Sequence, residues 1–242
     1  MPEGRFPPTR GSVLEAARSA RPEERARALE TLAAAYWRPV YVTLRLKWRR
    51  GHEEACDLAQ SFFAHVFEAK LLDRFDPSRG RLRTYLRFCL DALVANEAKA
   101  ASRVKRGGGA ALASLDVEAM RREADAASAA GVPSPEELFT REWVRGVFAA
   151  AVHRVRESLA AEAKEAWFEL FRRYDLERDD SSVPSYADLA EELGMKETDV
   201  TNRLAAVRRR FREATLAVLR ELTATDEEFR REARALLGTE PP

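Results

Sequence analysis

The residue types best suited to contacting nucleic acid gather in one short stretch near the C-terminal end of the chain. It carries hydroxyl, amide and cationic side chains at Lys196, Thr198, Thr201, Asn202, Arg203, Arg208, Arg209 and Arg212. Guanidinium groups bind phosphate and base edges, and asparagine amides bind base edges. The alternative is a solvated helix face, although such a face usually mixes charges of both signs. We therefore predict a DNA-binding surface here.

Two predicted helices would position that surface. Ser185 and Asp188 fit a capping box at the start of the first helix, and Gly194 is suited to ending it in a left-handed conformation. The second helix continues to Leu222, with an apolar face formed by Val200, Leu204, Val207 and Phe211. Two short helices joined by a glycine turn, with a basic outer face, predict a helix-turn-helix.

A second candidate surface is the sequence RLRTYLRF at positions 81–88. A surface that melts nucleic acid needs cations for the phosphates and planar rings that stack on unpaired bases. Arg83, Tyr85, Arg87 and Phe88 supply both on one helix. The alternative, that the rings are core and the arginines are solvated, has equal weight on this stretch alone.

Other chemistry is poorly supported. His52 and Cys56 stand four residues apart, but structural zinc needs four ligands, so we predict no metal site. The run KRGGGA at 105–110 lacks the following Lys and Ser/Thr of a phosphate loop, and no strand precedes it. Neighbouring carboxylates such as Glu53 and Glu54 point apart on a helix. We predict neither an enzyme nor a bound cofactor.

Composition indicates an all-α protein of the cytoplasm. Hydrophobic residues make up 45% of the 242 residues, enough for real cores, and strand patterns are absent. The net charge of +1 does not itself indicate nucleic acid, so the distribution of charge has to. Two cysteines cannot form a disulfide scaffold and suit a reducing compartment. We expect no signal peptide and no membrane span.

Proline, glycine and small residues predict the organisation of the chain. Three prolines and a glycine in the first ten residues indicate a disordered arm over 1–11. Three consecutive glycines at 107–109 indicate that a helical domain over 12–107 ends there. We predict a flexible linker over 108–134, a second helical domain over 135–222 and a tail helix within 223–242. In the first domain Pro22 should start a helix that Pro39 bends or restarts, and Gly51 should end it.

Several motifs of the chain, and the order in which they occur, are similar to those of a known protein family. Residues 57–63 read DLAQSFF, residues 74–80 read RFDPSRG and residues 82–86 read LRTYL. The helix-turn-helix begins SYADLAEELG at 185–194 and ends in an arginine run. Over roughly residues 25–107 and 135–222, the chain resembles the extracytoplasmic-function group of the sigma-70 family, which keeps sigma domains two and four.

The resemblance implies a transcription initiation factor that binds core RNA polymerase and directs it to promoters. The polymerase-docking residues would be Asp57, Leu58, Gln60, Phe62 and Phe63. The downstream promoter element would be bound and melted by Asp76, Ser78, Arg79, Arg83, Tyr85, Arg87, Phe88, Asn96 and Lys99. The helix-turn-helix residues would read the upstream element, with Asn202 and Arg203 contacting bases and the later arginines holding phosphate.

Departures from the family pattern suggest further partners. Tyr85 stands where tryptophan is usual, and Cys56 and Ser61 stand where acids are common. A kinase that phosphorylated Ser61 would add about 1.5 to 2 negative charges and strengthen docking, unless the neighbouring acids already suffice. An anti-sigma factor is a further possible partner. Two alternatives stay open: a stand-alone helix-turn-helix regulator that never binds polymerase, and a helical adaptor with no nucleic-acid role.

Overall fold

The computed structural model describes residues 13–68, 71–104, 134–177 and 185–238, with side chains of the helix that ends at 104 described up to Ala98. This part of the chain is helical and contains no strand, so the all-α prediction is confirmed. No helix within it combines the length and the apolar character that crossing a bilayer requires.

Four α-helices form the part of the chain before residue 105. They are α1 (Val13–Ala17), α2 (Pro22–Leu46), α3 (His52–Glu68) and α4 (Leu82–Val104). Two short 3-10 turns, Leu71–Arg74 and Pro77–Arg79, connect α3 to α4. The predicted start at Pro22 is confirmed, because proline suits the first turn of a helix, and α3 begins directly after Gly51.

Five α-helices follow residue 133 in the described chain. They are α5 (Pro135–Ala161), α6 (Glu165–Phe171), α7 (Tyr186–Glu192), α8 (Glu197–Leu222) and α9 (Asp226–Leu237). A π-helical segment, Arg172–Leu176, continues α6. The predicted end of the long helix at Leu222 is confirmed, and α9 lies within the predicted tail segment 223–242.

Pro39 does not end α2. The helix runs through it to Leu46, although proline has no N–H to donate to the carbonyl of Ala35. Pro39 and the adjacent Val40 are buried, so tertiary packing outweighs the lost hydrogen bond. Gly51 does not end this helix either, since the chain leaves helical geometry four residues earlier and Arg49 has a φ of +51°.

The described chain divides into two compact units. The first contains the residues up to Gly146 together with Arg220–Glu232, and the second contains Val147–Leu219 with the residues from Ala233 onward. One division falls inside α5 and another inside α8. The predicted arm and all of the predicted linker except Ser134 lie outside the described residues. The organisation as two domains joined by a flexible linker is therefore not confirmed.

Each unit has its own apolar core. In the first, Phe62 and Tyr36 are almost completely buried, and the ring of Tyr36 stacks on Phe139 with centroids 6.2 Å apart. In the second, α5, α6, α7 and α8 bury one continuous cluster made of Val155, Leu159, Leu170, Phe171, Leu189, Ala190, Val200, Leu204 and Val207. Both cores follow the apolar faces that the helical periodicity indicates.

Candidate nucleic-acid interface

The start of the helix-turn-helix has the predicted capping box. The Ser185 amide donates to the Asp188 carboxylate at 2.9 Å, and the Asp188 amide donates to the Ser185 hydroxyl at 3.1 Å. Hydrogen bonding of the Asp188 carboxylate to Ser185, first to its side chain and then to its amide, lowers the pKa of Asp188. The cap sets the direction in which α7 enters the motif.

The turn between α7 and α8 follows from Gly194. This residue has a φ of +61°, which glycine adopts without steric cost, and the next amide, of Met195, donates to the Ala190 carbonyl at 2.9 Å. Val200, Leu204 and Val207 then bury one face of α8 completely. The opposite face of α8 is therefore held on a rigid support.

The predicted upstream-element residues divide into exposed and half-buried groups. The exposed ones are Lys196, Thr198, Thr201, Asn202, Arg208 and Arg209; the half-buried ones are Arg203 and Arg212. The Thr201 hydroxyl donates to the Glu197 carbonyl at 3.1 Å. Asn202 and Arg203 are consecutive on the outer side of α8, so the structure brings the two predicted base readers together.

Arg208 is tied to the protein itself. Its Nε and Nη2 atoms each donate to Asp175 at 2.9 Å, and its guanidinium lies 5.4 Å from the centre of the Tyr174 ring. The hydrogen bond to Asp175 raises the pKa of Arg208. Arg210 is clamped in the same way by Glu162, at 2.7 and 2.9 Å. A bidentate carboxylate fixes a guanidinium plane, so these arginines present a defined edge.

Trp167 is a site residue that sequence analysis missed. The guanidinium of Arg203 lies 5.7 Å from the centre of its ring, and the ammonium group of Lys164 lies 4.9 Å from it. A tryptophan face attracts cations and limits the directions that Arg203 samples. No local spacing in the sequence reveals that α6 faces Arg203.

At the start of α4 the predicted aromatic residues are half-buried. The Tyr85 hydroxyl donates to the Leu71 carbonyl at 2.8 Å, and its ring lies 5.3 Å from that of Phe75. Burial raises the pKa of Tyr85. Phe88 has the guanidinium of Arg87 4.3 Å from its ring centre. Neither ring is free to stack on a base without rearrangement.

The two predicted strand-binding arginines of α4 are buried, which corrects the expectation of exposed cations. Arg83 is 7% exposed and Arg87 is 2% exposed. Arg83 pairs with Glu232 at 2.5 Å, and Arg87 pairs with Asp91 at 2.8 Å. The Asp91 carboxylate also lies 3.1 Å from the ammonium group of Lys47. Both guanidinium groups therefore form ion pairs with carboxylates of the same chain and do not face solvent.

The 3-10 turn before α4 is more exposed to solvent than the first turn of α4 itself. Ser78 and Arg79 are exposed, and Asp76 accepts from the Ser78 hydroxyl at 2.7 Å and from its amide at 3.0 Å. The hydroxyl contact and then the amide contact lower the pKa of Asp76. Asn96 is half-buried further along α4, and the side chain of Lys99 lies outside the described residues.

The predicted polymerase-docking residues on α3 fall into an exposed group and a buried group. Asp57 and Gln60 are exposed, whereas the apolar members Leu58, Phe62 and Phe63 are buried and anchor the helix. Phe63 stacks on Trp37 of α2, with ring centroids 5.9 Å apart, and Trp37 is 36% exposed. Trp37 is a further surface residue that sequence analysis missed. Ser61 is exposed beside them.

The His52 and Cys56 pair does not form a larger ligand set. His52 Nδ1 lies 4.0 Å from the Cys56 sulfur and 2.9 Å from the Tyr41 hydroxyl. Among the described residues, no group of three or more His, Cys, Asp and Glu side chains is placed to hold a metal ion.

Comparisons with family models, with curated proteins and with solved structures give no match for this chain. A functional assignment therefore depends on the geometry above and on the residues that carry the sequence resemblance.

Proposed function

We propose that this chain is a transcription initiation factor that binds core RNA polymerase in the cytoplasm and directs it to specific promoters. The observation that carries the proposal is the adjacent pair Asn202 and Arg203, presented by a helix-turn-helix whose supporting face is fully buried. An asparagine and an arginine reaching the major groove can discriminate adenine and guanine edges. No catalytic step by the chain itself is part of the proposal.

Polymerase docking is assigned to the exposed part of α3. Asp57 and Gln60 project from a helix that Leu58 and Phe62 anchor in the core, next to the half-exposed Trp37. An exposed acid and amide around an aromatic side chain suit a basic partner surface, because opposite charges steer encounter and fix orientation. The sequence resemblance places the polymerase contact on the same residues.

The second candidate function, a stand-alone helix-turn-helix regulator, is favoured by a specific observation. Arg83 and Arg87, the arginines assigned to strand melting, are buried in ion pairs. A regulator that only binds duplex DNA has no need of a melting surface. The two functions are separated by whether the chain binds core polymerase.

The test is a titration of the full chain against core RNA polymerase, followed by transcription from a promoter library. We expect saturable binding, and we expect Asp57→Ala with Gln60→Ala to weaken it at least about tenfold, or 1.4 kcal/mol. Glu30→Ala, an exposed acid on α2, is the charge-matched control and should bind as wild type does. Unchanged affinity of the double variant would remove the docking assignment.

Failure of the wild-type chain to bind polymerase, together with salt-dependent binding to duplex DNA, would support the regulator instead.

A further inference from the structure

Three glutamates in the first unit are buried. Glu142, Glu228 and Glu232 are 2%, 5% and 1% exposed. Glu142 pairs with Arg38 of α2 and with Arg145 of its own helix, whereas Glu232 pairs with Arg81 and Arg83 at the start of α4. Charged glutamates are rarely so buried unless they are paired.

Two of the three glutamates contact the residues around the start of α4. Glu232 of α9 lies 3.2 Å from Nε of Arg81 and 2.5 Å from Nη1 of Arg83. Glu228, one turn earlier in α9, accepts a hydrogen bond from the Leu82 amide at 3.1 Å. Its other oxygen accepts from the Ala224 amide at 2.9 Å.

The start of α4 has the composition of an anion-binding site. The amide of Leu82 is at the N-terminus of a helix, where unpaired N–H groups and the helix dipole attract negative charge. The first turn of α4 contains no acid, and Arg81 and Arg83 add two cations there. Cations at this end oppose the helix dipole, so stabilisation of α4 does not account for them.

The carboxylates fill this site imperfectly. The contacts of Glu232 are ion pairs by distance but lack hydrogen-bond alignment, and Nε of Arg83 is buried without a hydrogen-bond partner among the described residues. Burial, with the charge of nearby Arg83, lowers the pKa of Arg81, and burial raises the pKa of Glu228. Buried ion pairs contribute little net stability, because desolvation offsets much of the attraction.

We propose that α9 is an autoinhibitory segment whose Glu228 and Glu232 carboxylates occupy the anion site formed by Arg81, Leu82 and Arg83, and that single-stranded nucleic acid competes for this site with its phosphates. The inference rests on the proposed function, because it states how the surface assigned to the melted promoter strand is regulated. While α9 is docked, its carboxylates are paired with Arg81 and Arg83. Release of α9 removes these carboxylates and leaves Arg83 beside the ring of Trp143, whose centre lies 4.9 Å from its guanidinium.

Docked α9 lowers the apparent affinity of the chain for a nucleic-acid strand, because only the molecules in which α9 is released can bind the strand. If α9 is docked in about nine molecules of ten, the apparent Kd for a strand rises about tenfold. Removing the charge of the two glutamates while keeping their shape should abolish that penalty.

The experiment measures binding of a fluorescent single-stranded oligonucleotide to the full chain by anisotropy. We expect Glu228→Gln with Glu232→Gln to bind about tenfold more tightly than wild type. The matched control, Glu30→Gln with Glu227→Gln, removes two exposed acids and the same total charge, so it corrects for general electrostatics. Equal gains in the two double variants would overturn the proposal, as would no gain in a folded Glu228→Gln, Glu232→Gln protein.

A second measurement uses the wild-type chain and does not depend on a variant that folds. Hydrogen exchange of the Leu82 amide and of the α9 amides is followed with and without the oligonucleotide. We expect saturating oligonucleotide to accelerate exchange within α9, because the strand displaces it. Binding of the oligonucleotide with α9 protection unchanged would overturn the proposal.

These outcomes are separable from failure of the proposed function. A wild-type chain that does not bind polymerase refutes the initiation role. The anisotropy and exchange measurements still test whether docked α9 blocks binding of the strand. Conversely, normal promoter-directed transcription together with no gain in the glutamine variant refutes the blocking role of α9 alone.

Discussion

Arg203 differs from its arginine neighbours in what restrains it. Arg208 and Arg210 are each clamped by a carboxylate, whereas Arg203 lies over the ring of Trp167. An aromatic face limits direction but leaves the N–H donors of the guanidinium available for base edges. This distinction agrees with the base-reading role proposed for Arg203, whereas Arg208 and Arg210 are held by the protein itself.

Substituting Arg203 should therefore change specificity. We expect Arg203→Ala to cost about 1–3 kcal/mol of binding to the preferred site and to relax preference at one base position. Arg209→Ala, an exposed neighbour on α8, is the control and should weaken binding to all sequences alike. The measurement is binding-site selection from a random DNA library. The same selected motif for Arg203→Ala and wild type would contradict this assignment.

An ion pair between Glu162 and Arg210 stabilises the helix-turn-helix in addition to its apolar core. Glu162, just after α5, binds Arg210 of α8 with both oxygens, and it also accepts from the ammonium group of Lys164 at 2.7 Å. The contact joins two helices that are far apart in sequence. It therefore contributes to the angle at which α8 presents Asn202 and Arg203.

This contact predicts an acid-sensitive second unit. The hydrogen bond to Arg210, followed by that to Lys164, lowers the pKa of Glu162 from 4.5 to about 2. A lowered folded-state pKa gives stability that is present above pH 4.5 and is lost as pH falls towards about 2. We expect Glu162→Gln to have a lower thermal midpoint than wild type at neutral pH, and the difference to shrink across this range.

Thermal unfolding followed by the circular dichroism of the helices at a series of pH values measures the effect. The prediction is wrong if the difference between Glu162→Gln and wild type is the same at pH 6 and at pH about 2.

The first unit is assembled from both ends of the described chain. Phe229 of α9 is 4% exposed, and the guanidinium of Arg220 lies 3.9 Å from its ring centre within the same unit. Arg220 also pairs with Asp226 across the turn between α8 and α9. The tail helix is thus part of the structure that covers α4 and is not an appendage.

Removing the Phe229 ring should destabilise the first unit. We expect Phe229→Ala to lower the unfolding free energy of the first unit by about 1.4 kcal/mol, since a buried ring is replaced by a cavity until α9 is released. Hydrogen exchange should accelerate more in α3 and α4 than in α7. Leu204→Ala, in the core of the second unit, is the reciprocal control and should accelerate α7 more than α3. Equal acceleration in all helices by both variants would contradict the assignment of Phe229 to the first unit.

Local sequence was sufficient for most helices. The capping box at Ser185 and Asp188, the left-handed Gly194 and the limits of α9 are properties of a few consecutive residues, and the periodic apolar positions of α8 fix which face is buried. The position of Asn202 and Arg203 outside the buried face of α8 follows from the same periodicity. These features depend on backbone geometry and side-chain spacing, both of which are legible in sequence.

Only the tertiary structure decided which charges are available. Arg83 and Arg87 have the sequence context of solvent-facing cations, but Glu232 and Asp91 neutralise them in the interior. Local spacing could not pair Arg83 with a residue of α9, because that contact depends on how distant helices pack. The continuity of α2 through Pro39 and the position of Trp167 beside Arg203 also depend on how distant helices pack. Sequence determined the elements and their faces, and packing determined which faces remain open, since burial and ion pairing are properties of residues brought together from different helices.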